Sequence, residues 1–115
     1  MYHWIKIFGS LEEAENLLQL NKTMAFDLKG KKICVTRTKN GLFAVQDKCP
    51  HNGALFSKGG ICQKNQEIVC PLHRYSFDLK SGKCTSGQGY ALDTFPLEEK
   101  NDGLYIGIKA RWWER

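Results

Sequence analysis

The sequence predicts an antiparallel all-β domain, a sandwich or barrel, with one short N-terminal helix. Three observations lead there. Short runs of β-branched, aliphatic and aromatic residues recur along the chain. Turn-forming Gly, Asn and Lys-Gly clusters separate them. A single helical pattern is present, and a capping box opens it. With 115 residues, 42% of them hydrophobic, the chain can bury one modest core, so residues 1–115 are expected to form one domain.

Taken in order, Tyr2 to Phe8 reads as a strand that Gly9 breaks. Ser10-Leu11-Glu12-Glu13 is the capping box, with Ser10 as N-cap and Glu13 three residues on. Leu11, Ala14, Leu17 and Leu18 fall on one helical face, and the helix is expected to end near Asn21. Glu12, Glu13 and Glu15 suit the positive end of its dipole. Thr23 to Leu28 places Met24, Phe26 and Leu28 on one side of a strand, and Lys29-Gly30-Lys31 turns the chain. Lys32 to Thr38 returns with Ile33 and Val35 on one face and Cys34 and Thr36 on the other. Asn40-Gly41 signals a hairpin into the strand Leu42 to Gln46.

Asn52-Gly53 and Gly59-Gly60 supply turns to the stretch that follows, and Gln66 to Val69 is a further strand. Phe77 to Leu79 is next, with a turn at Lys80-Ser81-Gly82-Lys83. Ser86-Gly87-Gln88-Gly89 is a flexible loop. Thr94 to Glu98, Asn101-Asp102-Gly103 and Leu104 to Ile108 make a closing hairpin, and Arg111-Trp112-Trp113-Glu114-Arg115 is a tail.

The chemistry sits between Cys49 and His73. Cys49-Pro50-His51 is followed, after eighteen residues, by Cys70-Pro71-Leu72-His73. These are two mixed pairs, C-x-H and C-x-x-H, each short enough for one loop tip. Zinc fingers usually pair Cys with Cys and His with His. One thiolate and one imidazole from each loop suit a cofactor with two unlike metal positions. Pro50 and Pro71 stiffen the chain beside each Cys.

A [2Fe–2S] cluster with Cys on one iron and His on the other is such a cofactor, the Rieske centre. The sequence resembles the Rieske-type ferredoxins, in particular the soluble ferredoxin component of ring-hydroxylating dioxygenase systems. The matching stretches are Cys49-Pro50-His51-Asn52-Gly53-Ala54-Leu55 and Cys70-Pro71-Leu72-His73-Arg74-Tyr75-Ser76-Phe77. The resemblance implies a Rieske-like antiparallel β-sandwich or barrel with a cluster-binding subdomain of two loops, about residues 47–58 and 70–78. It implies one [2Fe–2S] cluster per chain, with Cys49 and Cys70 on the inner iron and His51 and His73 on the outer. Neutral ligands make the His-ligated iron the easier one to reduce. Loop amides around Asn52-Gly53 and Arg74-Tyr75 are the expected donors to the thiolates. Ser86 to Gly89 is expected to approach the cluster as a third loop.

The implied function is that of a soluble one-electron carrier, passing electrons from a flavin-dependent reductase to an oxygenase or similar acceptor. No catalytic residue accompanies the cluster. The mononuclear iron site of a Rieske oxygenase needs two further His and a carboxylate, and only His3 remains. Two alternatives stay open: an accessory subunit like the small subunit of NAD(P)H-dependent nitrite reductase, and a structural zinc module on the same four ligands.

Composition narrows the partners. No apolar run reaches the length of a membrane span, and the N-terminus lacks a signal-peptide pattern, so a soluble, cytoplasmic monomer is expected. Cys34, Cys62 and Cys84 are expected as reduced, small hydrophobes. The net charge is +5, scattered and without a nucleic-acid motif. Between Asp47 and Lys83, Lys48, Lys58, Lys64, Arg74, Lys80 and Lys83 outnumber Asp47, Glu67 and Asp78. A redox partner with an acidic docking patch is therefore expected.

High-potential Rieske proteins add a disulfide between the loops and a pair of hydroxyls beside the cluster. By motif alignment those positions are Ala54 and Leu72, and Tyr75 and Phe77, none of which serves. Hydrogen-bond donors favour the more negative reduced state, so a low potential is expected. Protein-film voltammetry should return about −150 mV. The double change Tyr75→Ser with Phe77→Tyr should raise it; a wild-type potential well above zero would overturn this expectation.

Overall fold

The computed structural model describes residues 2–51, 53–72 and 74–109. The expected ligand His73, the turn residue Asn52 and the tail carrying Trp112 and Trp113 lie outside the described residues. Element order is β1 (Tyr2–Phe8), α1 (Leu11–Leu17), β2 (Thr23–Leu28), β3 (Lys31–Thr38), β4 (Gly41–Gln46), a 3-10 turn (Phe56–Lys58), β5 (Ile61–Gln63), β6 (Glu67–Val69), β7 (Ser76–Asp78), β8 (Thr94–Phe95), β9 (Leu97–Lys100) and β10 (Gly103–Lys109). The strands form three antiparallel sheets, ordered β1-β10-β9, β2-β3-β4-β8 and β5-β6-β7. This is the antiparallel all-β architecture with one short helix that the sequence predicts.

β3 holds the molecule together because both of its faces are buried. Ile33 and Val35 pack with Leu18, Ala44, Ile106 and Ile108. Cys34, on the opposite face, packs with Val45, Cys49, Phe56, Ile68, Cys70, Phe77, Leu79 and Leu92. The alternation of β3 thus sends successive side chains into two different cores. Each fully buried aliphatic or aromatic side chain contributes roughly 1.5–3 kcal/mol. The second core is the floor beneath both candidate ligand loops.

Four local expectations are corrected. The helix stops at Leu17 rather than near Asn21, because Leu18 leaves helical geometry at φ −112, ψ 106 and caps on Ala14 O. Leu17 is consequently 60% exposed, and the buried positions are Ala14 and Leu18. The Ser10 side chain accepts from Glu13 N–H at 2.9 Å as expected, but Glu13 Oε1 reaches one residue further back, to Gly9 N–H at 3.1 Å. The β3–β4 hairpin turns on Lys39-Asn40, with Thr38 opposite Gly41 and the positive φ of 118 carried by Gly41.

The fourth correction concerns Thr94 to Glu98, which is two strands and not one. Pro96 cannot donate to a ladder, and the chain changes sheets there. β8 pairs with β4, while β9 pairs with β10. β5 was not foreseen; its three residues carry too little alternation to be read from sequence.

Candidate metal centre

The first ligand loop leaves β4 at Asp47. Cys49 N–H donates to Ala54 O and Gly53 N–H to Cys49 O, both at 2.8 Å. Lys48 and Leu55 pair as an isolated bridge, and Phe56 N–H donates to Asp47 O at 2.8 Å. Phe56 is fully buried and meets Phe77 edge-on at 5.9 Å, which pins the loop to the second core.

The second loop joins β6 to β7 in the same manner. Cys70 N–H donates to Tyr75 O at 2.8 Å. Arg74, just before the closing residue, is left-handed at φ 56, as Gly53 is at φ 78 in the first loop. The loops abut: a Cβ on Gly59, itself at φ +120, would lie 3.3 Å from Pro71 Cβ.

Of the four expected ligands, Cys49 and Cys70 are brought together. They are 2% and 1% exposed, in one cluster of buried residues. Burial raises the Cys70 thiol above its ordinary range and the neighbouring Cys49 adds to the rise, against a lowering bond from the Leu72 backbone N–H. The amide aimed at that sulfur is therefore Leu72's. Gly53, expected to donate to a thiolate, spends its N–H on the Cys49 carbonyl because that bond tightens the loop.

His51 lies beside two tyrosines. Its ring is 4.2 Å from Tyr75 at 32° and 5.8 Å from Tyr90, and the two tyrosines stack at 5.9 Å. Tyr75 thus does more than leave out a hydroxyl: its face forms one wall of the imidazole's environment. Tyr90 was not foreseen, since nothing local marks it. The loop that carries it is tied to β7, with Thr85 N–H to Ser76 O at 2.8 Å, Ser76 N–H to Ser86 Oγ at 3.1 Å and Ser76 Oγ to Thr85 Oγ1 at 2.8 Å. Ser86 to Gly89 is therefore a third loop held against the site rather than a loose one.

The donor chemistry fits a two-iron cluster. Two adjacent buried thiols need a metal to be stable as thiolates, and an amide already points at one of them. Among the described residues, no three His, Cys, Asp or Glu side chains gather into a metal-holding group, so His51 does not join Cys49 and Cys70 in one. The Rieske arrangement asks for only two protein ligands per iron. Outside the loops Leu72 is 54% and Tyr90 39% exposed, and Lys48, Lys58, Lys64, Arg74, Lys80 and Lys83 are all exposed.

Comparison with known proteins agrees with this geometry. The model of a family described as the Rieske [2Fe–2S] domain matches residues 10–96. The 3-phenylpropionate/cinnamic acid dioxygenase ferredoxin subunit of Photorhabdus laumondii subsp. laumondii is 38% identical over 68 residues, 57% of this chain and 63% of that protein. The ferredoxin of carbazole 1,9a-dioxygenase from Nocardioides aromaticivorans IC177 superposes with a TM-score of 0.74 at 22% identity, covering 90% of this chain and 95% of that one. A chain described as the NADH-dependent nitrite reductase small subunit of Mycobacterium tuberculosis superposes with a TM-score of 0.79 at 18% identity, covering 96% and 99%. At these identities the two structures establish the fold. The chain spans from 8% to 63% of the length of the first curated relatives it matches.

The three remaining cysteines differ in environment. Cys34 is fully buried, and its thiol is pushed far up by burial, then by Asp47 and Cys62. Cys62 is half-buried with Thr36 Oγ1 at 2.9 Å, and burial raises it too. Cys84 sits in the third loop, 3.4 Å from Ser86 Oγ. Burial would raise its thiol, but donors from the Ser86 side chain and the Gln88, Ser86 and Gly87 amides outweigh that and lower it. A lowered thiol keeps its thiolate as pH falls below the ordinary value. Iodoacetamide should therefore label Cys84 first and Cys34 last, with the midpoint of the Cys84 rate–pH profile below that of free cysteine, as peptide mass spectrometry would read. A midpoint at or above free cysteine would contradict the donor geometry.

Proposed function

This chain belongs to the Rieske [2Fe–2S] family, and from that premise we propose that it is a one-electron carrier between a flavin-dependent reductase and an oxygenase-like acceptor. Its cofactor is one [2Fe–2S] cluster. We assign the ligands as Cys49, His51, Cys70 and His73, on the two mixed Cys/His pairs and the two parallel loop closures. The single observation that carries the assignment is the pair of buried, adjacent thiols of Cys49 and Cys70 at the base of those loops.

When bound, the cluster supplies a site that takes up and gives back one electron. The residues of the chain do the rest. Apolar burial by Phe56, Phe77, Ile68 and Leu92 keeps water from the thiolates. The Leu72 amide offers that of Cys70 a fixed dipole. Tyr75 and Tyr90 hold the His51 ring at the surface of the molecule. The relative described as a dioxygenase ferredoxin subunit is an electron-transfer component, which supports the reading of this chain as a carrier and not an enzyme by itself.

The dioxygenase ferredoxin relative supports the oxygenase partner. The nitrite reductase small subunit shares the fold, so delivery to a nitrite reductase is the second reading. No helix among the described residues is long and apolar enough to cross a membrane. We propose a single domain over residues 1–115 that works as a cytoplasmic monomer.

Purified protein should contain about two irons and two acid-labile sulfides per chain. His51→Ala should lose the cluster or change its EPR signal. One zinc and no sulfide would sink the carrier reading and restore the zinc module. The exposed basic residues of segment 47–83 suit an acidic acceptor surface, so electron-transfer rates should fall as ionic strength rises and the Debye length shortens from about 30 Å toward about 3 Å. A rate that climbs steadily with salt would remove the acidic-patch assignment alone.

A further inference from the structure

Asp47 is a carboxylate with 2% exposure at the mouth of the first ligand loop. Carboxylates are almost never buried unless hydrogen-bonded, because an unpaired buried charge is costly. This one is fully engaged. Its N–H donates to Lys32 O at 2.9 Å, which ties it to β3. Its carbonyl accepts from Phe56 N–H at 2.8 Å. Its Oδ1 accepts from Ser57 N–H at 2.7 Å and its Oδ2 from Ser57 Oγ–H at 2.6 Å.

These bonds join the entrance of the loop to its exit. Inside them lie the Lys48–Leu55 bridge and the Cys49 N–H to Ala54 O bond. The segment is thus a narrow ladder, and the side-chain rungs at its base are the charge-assisted ones, about twice as strong as neutral bonds. Nothing else in the described contacts ties Ser57 to the strand side of the loop by a side chain. Ser57 sits in the 3-10 turn, which offers its free N–H toward the acid.

We propose that Asp47 is the positioning residue of the first ligand loop: its carboxylate clasps Ser57 and keeps residues 47–57 closed, so that Cys49 and His51 retain the cofactor. This rests on the reading that Cys49 and His51 are ligands. The acid touches no ligand atom; it acts through the loop ends.

The test compares D47N, S57A, the double variant and S57T in the full chain. Two quantities are read: the rate of visible-absorbance loss with an iron chelator, and amide hydrogen exchange at Phe56 and Ser57. Each of D47N and S57A should speed cluster loss about tenfold, the scale of one lost charge-assisted bond. The double variant should be no faster than the worse single, and S57T, which keeps the hydroxyl, should return close to wild type. Exchange at Phe56 and Ser57 should quicken while Ile33 and Val35 stay protected. Wild-type loss rates with unchanged exchange would overturn the clasp, as would losses that multiply in the double variant. Should D47N fail to fold, the S57A and S57T pair still decides. If wild-type protein holds no iron or sulfide, the ligand assignment falls, and the exchange data alone show whether Asp47 closes the loop.

Discussion

Each candidate ligand cysteine spends its own backbone N–H on the carbonyl five residues ahead, Cys49 on Ala54 and Cys70 on Tyr75, both at 2.8 Å. Much of the site follows from that bond. Both cysteines are buried, so an unmade N–H bond there would cost about 1–3 kcal/mol. Closing the loop on itself satisfies the group without help from outside. Of the amides between, Leu72's is turned to the Cys70 sulfur and Gly53's returns to the Cys49 carbonyl. The geometry requires a left-handed residue just before the closure. Gly53 adopts it without strain, whereas Arg74 accepts roughly 1–2 kcal/mol at φ 56. Two unlike sequences thus reach one backbone solution.

That solution needs a floor, which is where the two cores matter. Phe56 and Phe77 meet edge-on beneath the loops, one from each side. Cys34 and Val45 present the rest of the floor from β3 and β4. Their sequence neighbours Ile33, Val35 and Ala44 face the other way, into the core that β10 covers. Stability of the scaffold and placement of the site therefore share the same two strands. Loss of packing in β3 would be felt on both sides.

The surface over the loops combines aromatic and basic character. Tyr75 and Tyr90 flank His51, and Leu72, in the same loop as Tyr75, is exposed. Arg74, the residue before Tyr75, is exposed as well. An apolar and aromatic face with a cation beside it is the form of a transient protein contact, where the apolar part gives affinity and the charge gives rate.

Much of this was legible in the residues alone. The Ser10 cap, the alternation of β3, the turns and the two mixed ligand pairs all depend on neighbours within a few positions, where hydrogen-bonding and side-chain direction follow local rules. The two loops were readable for the same reason, as was Cys34 as a small hydrophobe, though not its place beneath them. Tertiary structure alone decided the rest. Tyr90 meets His51 across 39 positions of chain, and Asp47 meets Ser57 across a loop whose closure no local pattern encodes. The stretch expected as one strand, Thr94 to Glu98, divides at Pro96, and which sheet takes each part is decided by the packing. Local chemistry sets which groups a segment offers; which of them meet is set by how the sheets pack, and that is a property of the whole chain.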